Sequence, residues 1–119
     1  MVRYGYADSS EGQIHYRAAG PEGAPVIAFF HQTASSGAMW ERVLERLANR
    51  YRCYAFDTPG FGRSYQPADI PDLKTAAARI REAIDDLGID RLHLCGHHTG
   101  GCIALELAPM LGERMRTLT

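Results

Sequence analysis

Apolar and polar positions along the 119 residues switch between two periods. Residues 4–7 and 13–19 are short and β-prone, and Gln13-Ile14-His15-Tyr16-Arg17 partly alternates. The turn Ser9-Ser10-Glu11-Gly12 between them predicts an antiparallel hairpin. Breakers at 21–25 mark a loop. Val26-Ile27-Ala28-Phe29-Phe30 is then an unbroken apolar run, the pattern of a strand buried on both faces.

From Ser36 the period becomes helical. Trp40, Val43, Leu44 and Leu47 fall on one side, with Glu41, Arg42, Glu45 and Arg46 on the other. Residues 51–56 predict a strand that ends at Asp57-Thr58-Pro59-Gly60. Leu73, Ala76, Ala77, Ile80, Ala83, Ile84 and Leu87 predict a second amphipathic helix, stopped by Gly88. Residues 91–95 predict another short strand, and 100–111 a third helix. The rhythm is two strands followed by three strand–helix units. It predicts an α/β fold in three layers, a mostly parallel sheet with helices on both faces. Ligands of such sheets sit beyond the carboxyl ends of the strands, so the loops after Phe30, Phe56 and Cys95 are the ones to inspect.

Composition adds exclusions. A net charge of −1 without basic or acidic runs argues against nucleic acid and anionic membranes as partners. No apolar stretch approaches the roughly 18 residues of a membrane span, and the first residues lack the apolar run of a secretory signal. Cys53, Cys95 and Cys102 form neither a disulfide framework nor a Cys-x-x-Cys motif, so reduced thiols and a cytoplasmic setting are expected.

The loop after the third strand–helix strand reads Gly96-His97-His98-Thr99-Gly100-Gly101. It has the spacing and context of Gly-x-Ser-x-Gly, strand before and helix after, with His98 in place of serine. Glycines there let strand and helix approach. A phosphate-loop reading fails because Cys102-Ile103 stands where Lys-Ser/Thr is required. No strand-to-helix loop supplies a dinucleotide Gly-x-Gly-x-x-Gly.

Two other loops accompany this one: His31-Gln32-Thr33-Ala34-Ser35-Ser36, and Asp57-Thr58-Pro59-Gly60-Phe61-Gly62-Arg63-Ser64. In order and spacing over about residues 12–112, the three resemble the α/β-hydrolase superfamily, in the branch similar to epoxide hydrolases, dehalogenases and C–C hydrolases. The resemblance implies that residues 1–119 are the N-terminal part of a single hydrolase domain, truncated after the third strand–helix unit. It places His98 at the nucleophile position and assigns the oxyanion hole to the backbone N–H groups of Thr33 and Thr99. His31, Asp57 and His97 become supporting residues, and Trp40 an anchor of the first helix. Gln32 and His98 depart from the family's usual glycine and serine.

A neutral imidazole can serve as nucleophile or general base. The leading expectation is therefore hydrolysis of an ester, amide or similar acyl compound, a small-molecule substrate, by the complete protein; a lyase or cofactor-free reaction that keeps the hole is a second form. The alternative is an inactive family member acting as a binding or interaction module, because loss of a triad member costs about four decades in rate. A metal site built from His31, Asp57, His97 and His98 has suitable residue types but no ligand spacing, so no metal or cofactor is expected. His15 and His93 read as ordinary sheet residues. The resemblance places the triad acid, the triad histidine and the lid beyond residue 119. The next strand would begin at Leu118-Thr119, which leaves the last strand an open edge suited to self-association or a complementary chain.

Overall fold

The computed structural model describes residues 1–119. Six strands form one sheet: β1 (Arg3–Asp8), β2 (Gln13–Ala19), β3 (Val26–Phe30), β4 (Arg52–Phe56), β5 (Leu92–Gly96) and β6 (Met115–Leu118), in the spatial order β1-β2-β4-β3-β5-β6. β1 and β2 are the antiparallel hairpin, in register Arg3 opposite Ala18 through Asp8 opposite Gln13. β2 joins β4 antiparallel, and β4, β3, β5 and β6 run parallel. The strands before the second and third helices therefore flank β3, so their carboxyl ends open at one place.

Alternation along the strands supplies two cores. Ile14, Ala28, Phe30, Tyr54, Phe56, Leu92 and Leu94 pack beneath helices α2 (Leu73–Asp86) and α3 (Thr99–Leu111). The other face carries Ala19, Phe29, Cys53 and Ala55 against Leu44 of the short helix α1 (Glu41–Leu47). Burying a side chain such as Phe30 or Leu94 stabilises the fold by roughly 1.5–3 kcal/mol. Helix α2 turns Ala76, Ala77, Ile80, Ala83 and Ile84 inward. Its first turn is capped by the Asp72 carboxylate, which accepts the Thr75 N–H at 2.7 Å.

Two boundaries differ from expectation. The segment 37–40 is a tight 3₁₀ turn rather than the first turn of the helix. Ser36 starts it by accepting the Ala38 N–H on its hydroxyl. Trp40 ends it with its ring on Phe29, centroids 4.9 Å apart. The second difference is β6, a strand already formed where the sequence places only the start of one. It pairs parallel with β5 from Leu92 opposite Met115, so β5 has a neighbour on each side rather than the open edge expected of it. Its side chains are half-buried to exposed, which explains the missing apolar run. No helix is long and apolar enough to cross a membrane.

Candidate functional site

At the carboxyl end of β5 the chain turns sharply into α3, and His98 sits on the turn with φ 59° and ψ −121°. It is the one non-glycine residue with a positive φ. The main chain around it imposes that torsion. The His97 N–H donates to the Phe30 carbonyl, continuing the β3–β5 ladder, while Gly100 and Gly101 donate back to the His97 and His98 carbonyls. A Cβ on Gly96 would strike the Gly100 carbonyl, and one on Gly100 would strike the Phe30 carbonyl. At Gly101 the nearest atom would be 3.8 Å away, so only the first two glycines answer a steric demand. The His98 side chain makes no capping bond to the helix it precedes.

The loop after β3 is braced by His31. A backbone carbonyl can only accept and an N–H can only donate, which fixes the tautomer of this ring. Nδ1 donates to the Gln32 carbonyl at 2.7 Å, and Nε2 accepts the Thr58 N–H at 3.0 Å. Burial lowers its pKa from the usual 6.5, against smaller raising contributions from the Gln32 bond and the Asp57 charge. A proton on Nε2 would also displace the Thr58 N–H.

Asp57, at the end of β4, is wholly buried. Oδ1 accepts from the Gly37 N–H at 2.6 Å and from Arg17 at 3.3 Å; Oδ2 accepts from His15 Nδ1 at 2.9 Å and the Arg63 N–H at 3.0 Å. Desolvation alone would raise its pKa. The two backbone N–H donors, His15 and the Arg17 charge outweigh it and hold the carboxyl below its ordinary range. His15 is thus part of this buried cluster, not the ordinary sheet residue its alternation suggests. Arg17 carries the cluster on to Glu41 at 2.8 Å. His93 on β5 bonds the Thr117 hydroxyl of β6 through Nδ1 at 2.7 Å.

Thr33 and Thr99 face each other across the site. The Thr33 N–H donates to Thr99 Oγ1 at 2.6 Å, and the Thr99 hydroxyl donates to Thr33 Oγ1 at 2.8 Å. Both line a cavity of about 400 Å³ shared by His31, Phe61, Ile70 and Ile103. Pro67, Ala68, Pro71 and Leu73 complete its apolar wall, Gln66 adds a polar group, and no charged side chain contributes to it apart from the ionisable His31. Sequence reading passes over this wall because its residues follow neither period. His97 and His98 are exposed, their rings 6.4 Å apart, and neither lines the cavity. The metal cluster of His31, Asp57, His97 and His98 does not assemble, since Asp57 is spent on its own donors and no three His, Cys, Asp or Glu side chains gather to hold an ion.

A family model described as the alpha/beta hydrolase fold matches residues 25–119. The uncharacterized carboxylesterase nap of Bacillus subtilis is 29% identical over 113 residues, covering 94% of this chain and 38% of that protein. The 3-oxoadipate enol-lactonase 1 of Acinetobacter baylyi is 31% identical over 100 residues, covering 84% and 37%. Among solved structures, carboxylesterase CesB (YbfK) from Bacillus subtilis superposes with a TM-score of 0.88 at 26% identity, covering 98% of this chain and 41% of its own. The chain spans about two fifths of the length of these two curated relatives.

Proposed function

The chain belongs to the α/β-hydrolase-fold family, and on that footing we propose that it is the N-terminal part of a single hydrolase domain acting on an ester, amide or similar acyl compound. The observation that carries this reading is the His98 torsion. A residue held at φ 59° on a strand-to-helix turn stores strain, and such strain clusters at functional positions. The relatives named above, a carboxylesterase and an enol-lactonase, share the acyl chemistry.

In the proposed reaction the neutral imidazole of His98 attacks the substrate carbonyl carbon, or takes a proton from a water that does so. Charge collects on the former carbonyl oxygen. The backbone N–H groups of Thr33 and Thr99 are the donors assigned to it, the second being among the first N–H groups of α3, which have no acceptor within the helix. In the nucleophilic form the tetrahedral adduct collapses, the ester or amide bond breaks and the alcohol or amine leaves with the imidazole N–H proton; water then cleaves the acyl–imidazole bond, releasing acid and free imidazole. His31 and Asp57 hold the loops that carry these donors, and His97 flanks the elbow. The apolar wall favours a neutral small-molecule substrate. Three free cysteines suit a reducing, cytoplasmic setting.

A second reading has its own support. His98 does not line the cavity, and the Thr33 N–H already has an acceptor. Both fit a family member that binds without turning over. Hydrolysis of p-nitrophenyl esters by the full-length protein, with His98→Ala and His98→Ser beside it, separates the two. Activity lost in the Ala variant supports a catalytic imidazole; activity found only in the Ser variant supports the binding module.

A further inference from the structure

The Thr33–Thr99 pair joins two segments 66 positions apart through two hydrogen bonds that form a closed exchange. A main-chain N–H facing a cavity needs no protein acceptor, because water can serve. Here the acceptor is built in. Thr99 Oγ1 stands 2.6 Å from the Thr33 nitrogen, about where a substrate oxygen would have to stand to use that donor. The hydroxyl is also satisfied in the other direction, since its own proton goes to Thr33 Oγ1 at 2.8 Å. A threonine side chain has few χ1 wells, so leaving this one breaks both bonds at once.

We propose that the Thr99 hydroxyl is a specificity-determining latch, a stand-in for the substrate oxygen that keeps the Thr33 N–H closed until a stronger acceptor displaces it. The proposal rests on the acyl-hydrolase reading for its substrate. A neutral ester carbonyl is an acceptor of much the same strength as the hydroxyl and gains little by exchanging with it. The negatively charged oxygen of a tetrahedral intermediate forms a charge-assisted bond roughly twice as strong. Breaking the latch costs bound substrate and transition state the same hydrogen bonds, so it lowers affinity and leaves the barrier from bound substrate nearly unchanged; the charged oxygen alone more than offsets that cost. It also selects substrates that bring an oxygen to this position over those that offer none.

The test uses the full-length protein and three forms: unaltered, Thr99→Val, which keeps the shape and loses the hydroxyl, and Thr99→Ser, which keeps the hydroxyl. With p-nitrophenyl acetate, the Val variant is expected to raise kcat/KM by about two- to tenfold, the range set by one net hydrogen bond. The gain is expected in a lower KM, with kcat nearly unchanged, and Ser, by restoring the hydroxyl, is expected to bring KM back up. Amide hydrogen exchange at Thr33 supplies a readout independent of turnover, with protection expected in the unaltered and Ser forms and lost in the Val form. Lower kcat/KM in the Val variant, restored by Ser, would overturn the latch and make the hydroxyl a substrate ligand. Equal Thr33 exchange in all three forms would overturn it as well. Absence of turnover in every form removes the hydrolase reading, while the exchange measurement still decides whether the hydroxyl holds the Thr33 N–H.

Discussion

His15 Nδ1 and Asp57 Oδ2 meet at 2.9 Å, with the two side chains 1% and 0% exposed. A carboxylate only accepts, so Nδ1 carries the proton. The bond ties β2 to the loop after β4, and the opposite oxygen of the same carboxylate ties that loop to Gly37 before α1. Four donors thus converge on one buried anion, which fixes two of the three loops around the site.

Removing that anion leaves His15 Nδ1, one guanidinium nitrogen of Arg17 and two backbone N–H groups without their acceptor. Asp57→Ala is expected to destabilise the full-length protein by about 3–5 kcal/mol, the usual consequence of breaking a buried pair from one side. The folded carboxyl ionises below its ordinary value near 3.8. The unfolded chain therefore binds the proton more readily, and this stabilisation is complete above about pH 4 and lost as pH falls through the folded value. Urea melts at graded acid pH should show a steep loss in the unaltered protein and a shallower one in the Ala variant.

His31 acts at higher pH with the same sign. Its folded pKa is lowered, so the unfolded chain takes up the proton first. The stability it contributes is full above about pH 6.5 and declines as pH falls through that value towards the folded one. The thermal midpoint should drop more between pH 7 and pH 5 in the unaltered protein than in His31→Gln. Parallel curves for the two proteins would refute the assignment.

The elbow glycines are expected to respond in opposite directions. Gly100→Ala pushes a methyl into the Phe30 carbonyl and should cost about 1–3 kcal/mol, as overpacking does. Gly101→Ala meets ordinary contact on a helix and should gain up to about 1 kcal/mol from helix propensity. Denaturant midpoints of the two variants decide this directly.

His98 itself should trade stability against function. Glycine tolerates φ 59°, whereas alanine does not. His98→Gly is expected to exceed His98→Ala in stability by about 1 kcal/mol, while both lose esterase activity. Equal stability of the two would show that the turn is not strained.

The sequence made the parallel core readable because β3 and β4 are apolar on both faces and the helices keep one period. Less of the site was readable. Asp57 and His98 were found from loop spacing, but His15 and Arg17 were not, because their partner lies about 40 positions away and alternation reports burial without saying what is buried against it. The bond from the Thr33 N–H to the Thr99 hydroxyl was hidden for the same reason. A motif that names two backbone donors says nothing of a side chain answering one of them. Strand β6 escaped because its four residues, half-buried to exposed, carry no apolar run.

The turn that carries His98 is set entirely by main-chain bonds and by bare glycine backbone, with nothing contributed by the imidazole. The position is therefore a socket. Side chains of different reactivity can be seated in it without rebuilding the sheet or the helix, so the chemistry at this point can be exchanged by a single substitution while the fold is inherited unchanged.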